Sequence, residues 1–503
     1  MKGSVNGMKL KKRIIIMTVF LAIIAILIPS MSFADIAPKA IQGTIQEMQL
    51  VINGQKGIKI APILYEGRAY LPARYFSENM GYKVDWDQDT FTIFVTPTAQ
   101  EVSKTIPLLD TGKWAPATLK RLQKMIDENG IKSPNYDPKN KPYAVFDWDQ
   151  TCIFNDTQEE LFRYQIKNLL FKMTPSEFAA AIRHDIPSDD FSPEYNNLEG
   201  KPVNIEKIGA DLDERYKFLY DNYISLKDKN AEKLAEIQKT EEFKDFQGKL
   251  AYLYEAIGGT FSANVSYPWV LYLFTGMTTE EAQAITEESN DIALGEKLEY
   301  YTLTSSSKLP GKAGVVTGEY KRGLRIAPEM SNLMNVLRAN GIDVYICSAS
   351  LEDVVKVFAG LPKYGYNVPS EHVIGMRLEK DIEGKYKNEY KKDYPQTQQE
   401  GKTEAIKRIL VSKYGYGPIF VAGDSQGDYN MATDFEETQL VLIINRVRKL
   451  SDKITILAKK AADSIGDPDA KYILQGRNEN YGLFIPQEST IRFGKTEAEL
   501  IRK

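Results

Sequence analysis

Tyr143-Ala144-Val145-Phe146-Asp147-Trp148-Asp149-Gln150-Thr151 is the stretch that decides the fold. Its apolar run ends in two aspartates one residue apart, with a threonine two further on. Such a run reads as a buried strand that delivers carboxylates to the rim of an α/β sheet, where open α/β folds bind ligands. Residues i and i+2 of an extended segment point the same way, so Asp147 and Asp149 can serve one site. Two carboxylates that close repel unless a cation or a proton intervenes. Mg²⁺ suits a sparse carboxylate site completed by water and phosphate oxygens. The competing reading is a solvated turn at a strand end, and the chain carries a decoy for it. Asp85-Trp86-Asp87-Gln88 repeats four letters of the motif, but its threonine falls one residue late, at Thr90, in a hairpin-like segment.

Three further segments decide between the two readings. Val344-Tyr345-Ile346-Cys347-Ser348-Ala349-Ser350 is a strand ending in hydroxyls, and Gly401-Lys402 puts a lysine at a helix start. Phe420-Val421-Ala422-Gly423-Asp424-Ser425-Gln426-Gly427-Asp428 is an apolar strand opening onto two aspartates. Singly, each has an ordinary explanation: a helix-capping serine, a solvated lysine, an aspartate turn. Four in this order, three of them at strand ends, argue for one site. From about residue 327 the pattern alternates: helices over 330–340, 351–359, 402–413 and 451–462, strands over 342–347, 372–376, 418–422 and 439–445. That alternation predicts a doubly wound parallel sheet. Between the first motif and this region, about 157–325, the pattern is helical, with helices over 159–170, 175–183, 212–226 and 278–288. An insertion of that size reads as a cap that closes over a site and excludes water.

The chain has 503 residues, 64 basic and 68 acidic, for a net charge of −4. That is too long for one ordinary domain, and no basic field points to nucleic acid. Lys9, Lys11, Lys12 and Arg13 precede an apolar run from Ile14 to Ile28, closed by Pro29 and the small residues around Ala34. This reads as a secretory signal peptide, 1–34, with an uncleaved anchor as the alternative. Secretion or display at the cell surface follows, with no membrane span after cleavage. The two cysteines, Cys152 and Cys347, flank proposed site segments and read as buried thiols, with a disulfide as the alternative. Residues 35–97 form a small α+β domain with a hairpin at Asn53-Gly54. Residues 98–140 read as a linker carrying one helix, 115–129, and 141–503 as the main domain.

Two resemblances add to this. The stretch from Glu66 to Asp89 is similar to copper amine oxidase N-terminal-like stalk domains, although residues 41–95 hold no His or Cys to bind copper. The implied role is spacing or cell-wall and surface contact. The four motifs over 141–503 resemble the phosphatase branch of the haloacid dehalogenase superfamily. That resemblance implies Asp147 as the nucleophile and Asp149 as the general acid, with Ser348 and Lys402 holding phosphate. It also implies a Mg²⁺ cofactor on Asp147, Asp424 and the Asp149 carbonyl, supported by Thr151 and Asp428. The chemistry agrees with the residue types, because a carboxylate nucleophile splits one displacement into two and cations offset phosphoryl charge.

Within the branch, Ser348 and Lys402 look like phosphoserine phosphatase-like enzymes. The runs Phe146–Thr151, Asp156–Leu161, Gly341–Ser350 and Tyr364–Val368 look like secreted bacterial phosphorylcholine phosphatases. The implied substrate is a small phosphate ester such as phosphocholine, with Trp148, Tyr267 and Trp269 as aromatic walls and Glu159 as an acidic partner. Ordinary roles compete here: core packing for Tyr267 and Trp269, and a first-turn helix acid for Glu159. A broad-specificity or phosphoserine-type enzyme is the catalytic rival. A non-catalytic surface binding or scaffold protein is the rival of another class.

Overall fold

The computed structural model describes residues 107–501 in full and, before them, the backbone of the strands between Thr44 and Pro97. The chain divides into two compact units, Met1–Thr105 and Ile106–Lys503. The expected signal segment, the helical part of the expected 35–97 α+β domain and the start of the 98–140 connector lie outside the described residues. In the first unit Met48–Ile52 pairs antiparallel with Gln55–Ile60, with Ile52 opposite Gln55, while the expected turn residues Asn53 and Gly54 lie outside the described residues. Tyr82–Asp87 pairs antiparallel with Thr92–Pro97. The decoy aspartates therefore lie in a two-stranded antiparallel ribbon, with no parallel strand paired to it among the described residues.

In the second unit six parallel strands form one sheet. Their order is Val373–Met376, Asp343–Leu351, Tyr143–Phe146, Phe420–Gly423, Leu440–Ile444 and Tyr472–Gln475. The first motif strand sits between the serine strand and the Asp424 strand, in register Phe146↔Ile346 and Phe146↔Ala422. Segments about 200 residues or more apart in sequence thus end side by side at one rim. Alternate residues feed two apolar layers, as the strand period requires. Ala144, Phe146, Val344, Ile346 and Phe420 pack with the helices Pro116–Asn129 and Pro328–Ala339. Tyr143, Val145, Tyr345 and Val421 face the helices Glu400–Ile406 and Ile454–Asp463. This is the doubly wound sheet that the alternation predicts.

Three features depart from the sequence reading. The helix expected to link two domains is part of the core: Leu122, Met125 and Ile126 are fully buried. It is tied to the last strand by Thr118 Oγ1 donating to the Leu474 carbonyl at 2.5 Å, and by Ala115 N donating to Gln475 Oε1 at 2.8 Å. That sixth strand and a small C-terminal sheet over 477–499 have short, mixed sequences without clear alternation. The cap also differs in detail. The helix expected at 212–226 runs Ile205–Leu219, started by Asn204, whose side chain accepts from Lys207 N, and it ends in a π-turn. The cap also holds the long helix Glu241–Thr260 and the hairpin Glu299–Thr304 with Thr317–Arg322. The Glu241–Thr260 helix is buried on several sides, so its apolar residues show no single stripe to read.

Candidate active site

Asp147 follows its strand directly, and its backbone N–H donates to the Ala422 carbonyl at 2.9 Å, which pins it to the neighbouring strand. Its Oδ1 accepts from Lys402 Nζ at 2.6 Å and its Oδ2 from Thr151 Oγ1 at 2.8 Å. The same threonine hydroxyl lies 3.0 Å from Asp424 Oδ1, so Thr151 sits between two carboxylates. Lys402 is buried and also donates to Asp428 Oδ1 at 2.7 Å. An ammonium has three donors, so one remains for a ligand oxygen. Burial would lower the Lys402 pKa, but the Asp147 and Asp428 carboxylates outweigh it and hold it well above the ordinary value. Burial, then Asp428, pushes Asp147 well above the usual carboxylate range against the opposing pull of Lys402. Burial alone would raise Asp424, yet Arg446, whose Nη1 lies 2.6 Å from its Oδ2, brings it below that range.

Asp428 is placed by a close backbone approach. A Cβ on Gly423 would lie 2.5 Å from the Asp428 Cβ, so only glycine fits there. The Asp428 Oδ2 then accepts from the backbone N–H of Asp424 and Ser425, each at 3.0 Å. Ser348 is buried at the end of the adjacent strand, and its Oγ accepts from Ser350 N at 3.1 Å. Among the described residues its own hydroxyl hydrogen meets no protein acceptor.

Asp149 has a different setting. Its Oδ1 accepts from Thr157 N at 2.7 Å and its Oδ2 from Ser350 Oγ at 2.7 Å. Burial raises its pKa against these two hydrogen bonds. Asp147, Asp149, Ser348, Lys402 and Asp424 line one cavity of about 380 Å³. Glu159 and Tyr267 line it as well, so of the expected site residues only Thr151, Asp428, Trp148 and Trp269 are outside the lining. Thr151 and Asp428 stand behind the lining through the bonds above. Trp148 is the correction. It is fully buried beneath the motif, edge-on to Phe358 and Tyr366, with Nε1 donating to Thr157 Oγ1 at 3.2 Å. Extended residues alternate in direction, so a residue between two site aspartates points into the core. Trp269 is likewise fully buried, donating to the Ile182 carbonyl.

Several lining residues escaped the sequence reading. Ser350 was visible in the motif but not its reach to Asp149, and Arg446 lies 22 residues beyond Asp424 on a different strand end. Asp156, Tyr254 and Glu255 join Glu159 and Tyr267 on the cap side of the cavity, with Tyr254 OH donating to Glu159 Oε1 at 3.2 Å. Cys152 and Cys347 are buried free thiols. Cys152 Sγ donates to the Asp147 carbonyl at 3.0 Å, and burial pushes the Cys347 thiol up to about 12, so both are inert.

Carboxylate oxygens of Asp147, Asp424 and Asp428 lie within 4.8 Å of one another, all buried. Hard oxygen donors in a cluster whose burial penalises negative charge fit a hard divalent cation. The set differs from the expected one in bringing in the Asp428 side chain.

Residues 310–433 match the family model for haloacid dehalogenase-like hydrolases, and residues 36–95 that for the copper amine oxidase N-terminal domain. A conserved protein of unknown function from Anaerococcus prevotii has a crystal structure that superposes with a TM-score of 0.71 at 34% identity, covering 78% of this chain and 99% of that one. The phosphorylcholine phosphatase of Pseudomonas aeruginosa is 29% identical over 225 residues. That match takes in 39% of this chain, and the chain spans 60% of that relative's length. The parallel sheet with its four converging motifs carries a haloacid dehalogenase-like hydrolase domain, the class that the family model matches over residues 310–433.

Proposed function

We propose that this chain is an exported phosphomonoester hydrolase that works through an aspartyl-phosphate intermediate. The observation that carries the reading is the convergence of Asp147, Ser348, Lys402 and Asp424 on one cavity, with Asp149 held beside them. Asp147 attacks phosphorus while Asp149, whose pKa burial raises, gives its proton to the departing ester oxygen. Asp149 then takes a proton from the water that releases phosphate. The free donor of Lys402 and the hydroxyl of Ser348 hold the phosphoryl oxygens. Mg²⁺ would be held by Asp147, Asp424 and the Asp149 carbonyl, with Asp428 as outer support, and when bound supplies positive charge against the phosphoryl group. Substitution Asp147→Asn in the purified chain, assayed on a phosphate ester with Mg²⁺ and after chelation, tests this. Undiminished turnover in the variant would sink the mechanism, and undiminished turnover without metal would sink the cofactor assignment.

The favoured substrate is phosphocholine or a similar small ester with a cationic leaving group. Asp156, Glu159 and Glu255 with Tyr254 and Tyr267 give the far wall of the cavity an acidic and aromatic character. That combination suits an ammonium group, and the name of the Pseudomonas relative points the same way. Comparing kcat/KM for phosphocholine, phosphoserine and p-nitrophenyl phosphate in the parent and in Glu159→Gln decides it. A phosphoserine-type or broad-specificity enzyme would show no selective loss on phosphocholine. A non-catalytic scaffold, the reading the N-terminal domain motivates, would hydrolyse none of the three. We assign that domain to spacing or surface contact outside the cell.

A further inference from the structure

A second cavity, of about 390 Å³, adjoins the catalytic one and shares Gln150, Arg446 and Arg448 with its lining. Three parts of the chain meet there: the cap hairpin, the loop after the strand Leu440–Ile444, and the C-terminal sheet. Six lining side chains are cationic, namely Lys321, Arg446, Arg448, Lys449, Arg477 and Arg492, against two carboxylates, Glu299 and Glu479. Both carboxylates are already engaged. Glu479 Oε1 accepts from Arg477 Nη2 at 2.8 Å, and Glu299 Oε1 from Arg322 Nη1 at 2.9 Å. Arg446, Arg448 and Arg492 pair with Asp424, Asp452 and Glu499. Lys449 and Lys321 make no ion pair among the described residues. The Lys321 ammonium rests 5.8 Å from the Tyr300 ring centre.

The loop that aims the arginines is held in an unfavourable shape. Val447, a β-branched residue between Arg446 and Arg448, has φ +48°, where such side chains are genuine outliers. Buried Asn445 enforces it. Its Oδ1 accepts from Val447 N at 3.0 Å, while its Nδ2 donates to the carbonyls of Glu488 at 2.8 Å and Leu500 at 2.7 Å. Strain kept this firmly is characteristic of ligand-binding segments. On the wall common to both cavities, Gln150 is 8% exposed with φ +66°, and its Oε1 is buried without a partner. Its carbonyl accepts from Arg477 Nη1 at 3.1 Å. A spare acceptor beside a cluster of cations is what a protonated oxyanion, with both charge and an O–H, would satisfy.

We propose that this cavity is a second oxyanion site, which takes inorganic phosphate leaving the catalytic pocket or an anionic group carried by the ester itself. Phosphate as product rests on the phosphatase reading above, whereas oxyanion binding does not. The test is calorimetric titration of the full chain with inorganic phosphate, comparing the parent, Lys449→Gln, and Lys449→Gln with Lys321→Gln. The expected result is two binding events in the parent and at least about tenfold weakening of one in the double variant, at unchanged Tm and with kcat on p-nitrophenyl phosphate within about twofold. In a second arm, kcat/KM is measured for a sugar bisphosphate and for a monophosphate. A selective loss on the bisphosphate in the double variant assigns the site to the ester's own anion. Identical isotherms and identical kcat/KM ratios in parent and variants would overturn the proposal. A protein that turns over no ester yet loses one phosphate event in the variant keeps this site and fails the phosphatase reading instead.

Discussion

Asp149 accepts from neutral donors only, the Thr157 N–H and the Ser350 hydroxyl, whereas Asp147 accepts from the Lys402 ammonium as well as from a hydroxyl, and the proposed division into acid and nucleophile rests on that contrast. The division has a leaving-group consequence. Asp149→Asn is expected to slow phosphocholine hydrolysis by about 10²–10⁴-fold, the range general acids contribute. In kcat/KM, which reports phosphoryl transfer and not the later water step, p-nitrophenyl phosphate should lose far less, since nitrophenolate leaves without a proton. Steady-state kinetics on the two esters check this, and equal losses in kcat/KM would take the acid role away from Asp149. Trp148 belongs to the core beneath the motif. Trp148→Phe should therefore leave KM within about twofold while lowering stability by about 1–2 kcal/mol, because the buried Thr157 hydroxyl loses its indole donor. A thermal melt beside a KM measurement separates this from a substrate-lining role.

At the scale of elements, the cap is fastened by a buried lysine. Lys249, on the helix Glu241–Thr260, is fully buried. Its three N–H groups are shared among four acceptors: Asp211 Oδ2 at 2.9 Å, Asp245 Oδ2 at 3.0 Å, and the carbonyls of Pro310 at 3.0 Å and Leu309 at 3.2 Å. Asp211 in turn accepts from the backbone N–H of Lys312 at 2.7 Å and Ala313 at 3.0 Å, so one ionic cluster ties two helices to the loop that closes the cap hairpin. Removing one partner strands buried carboxylates, which costs about 3–5 kcal/mol. Lys249→Met should lower Tm accordingly and open the 305–316 loop to protease, a pattern that limited proteolysis reads directly. An unchanged melt would show the cluster to be dispensable. The sequence offered no sign of this, since a lysine four residues after an aspartate on a helix reads as a solvated pair.

At the scale of the molecule, every side chain assigned to either cavity lies in the unit Ile106–Lys503. A fragment of residues 106–503 is therefore expected to fold and to keep kcat/KM within about twofold of the full chain. A fragment starting at 141 should unfold more readily, because it lacks the helix Pro116–Asn129 that covers the sheet edge. Circular dichroism and turnover of the two fragments make the comparison. A stable, active 141–503 fragment would restore that helix to the role of a linker.

Local pattern by itself determined the strand ends, the four motifs and the helical block between them, because strand periodicity and the apolar run before each polar end are properties of short windows. It therefore identified Asp147, Asp149, Ser348, Lys402 and Asp424, and it separated them from the Asp85 decoy. Only the tertiary structure decided which strands are neighbours, and hence that Arg446 reaches Asp424 and Ser350 reaches Asp149. It also sent Trp148 into the core while its neighbours face the cavity. Pairings between distant segments depend on sheet order and on the pleat at each strand end, and neither is written in any single window of the chain.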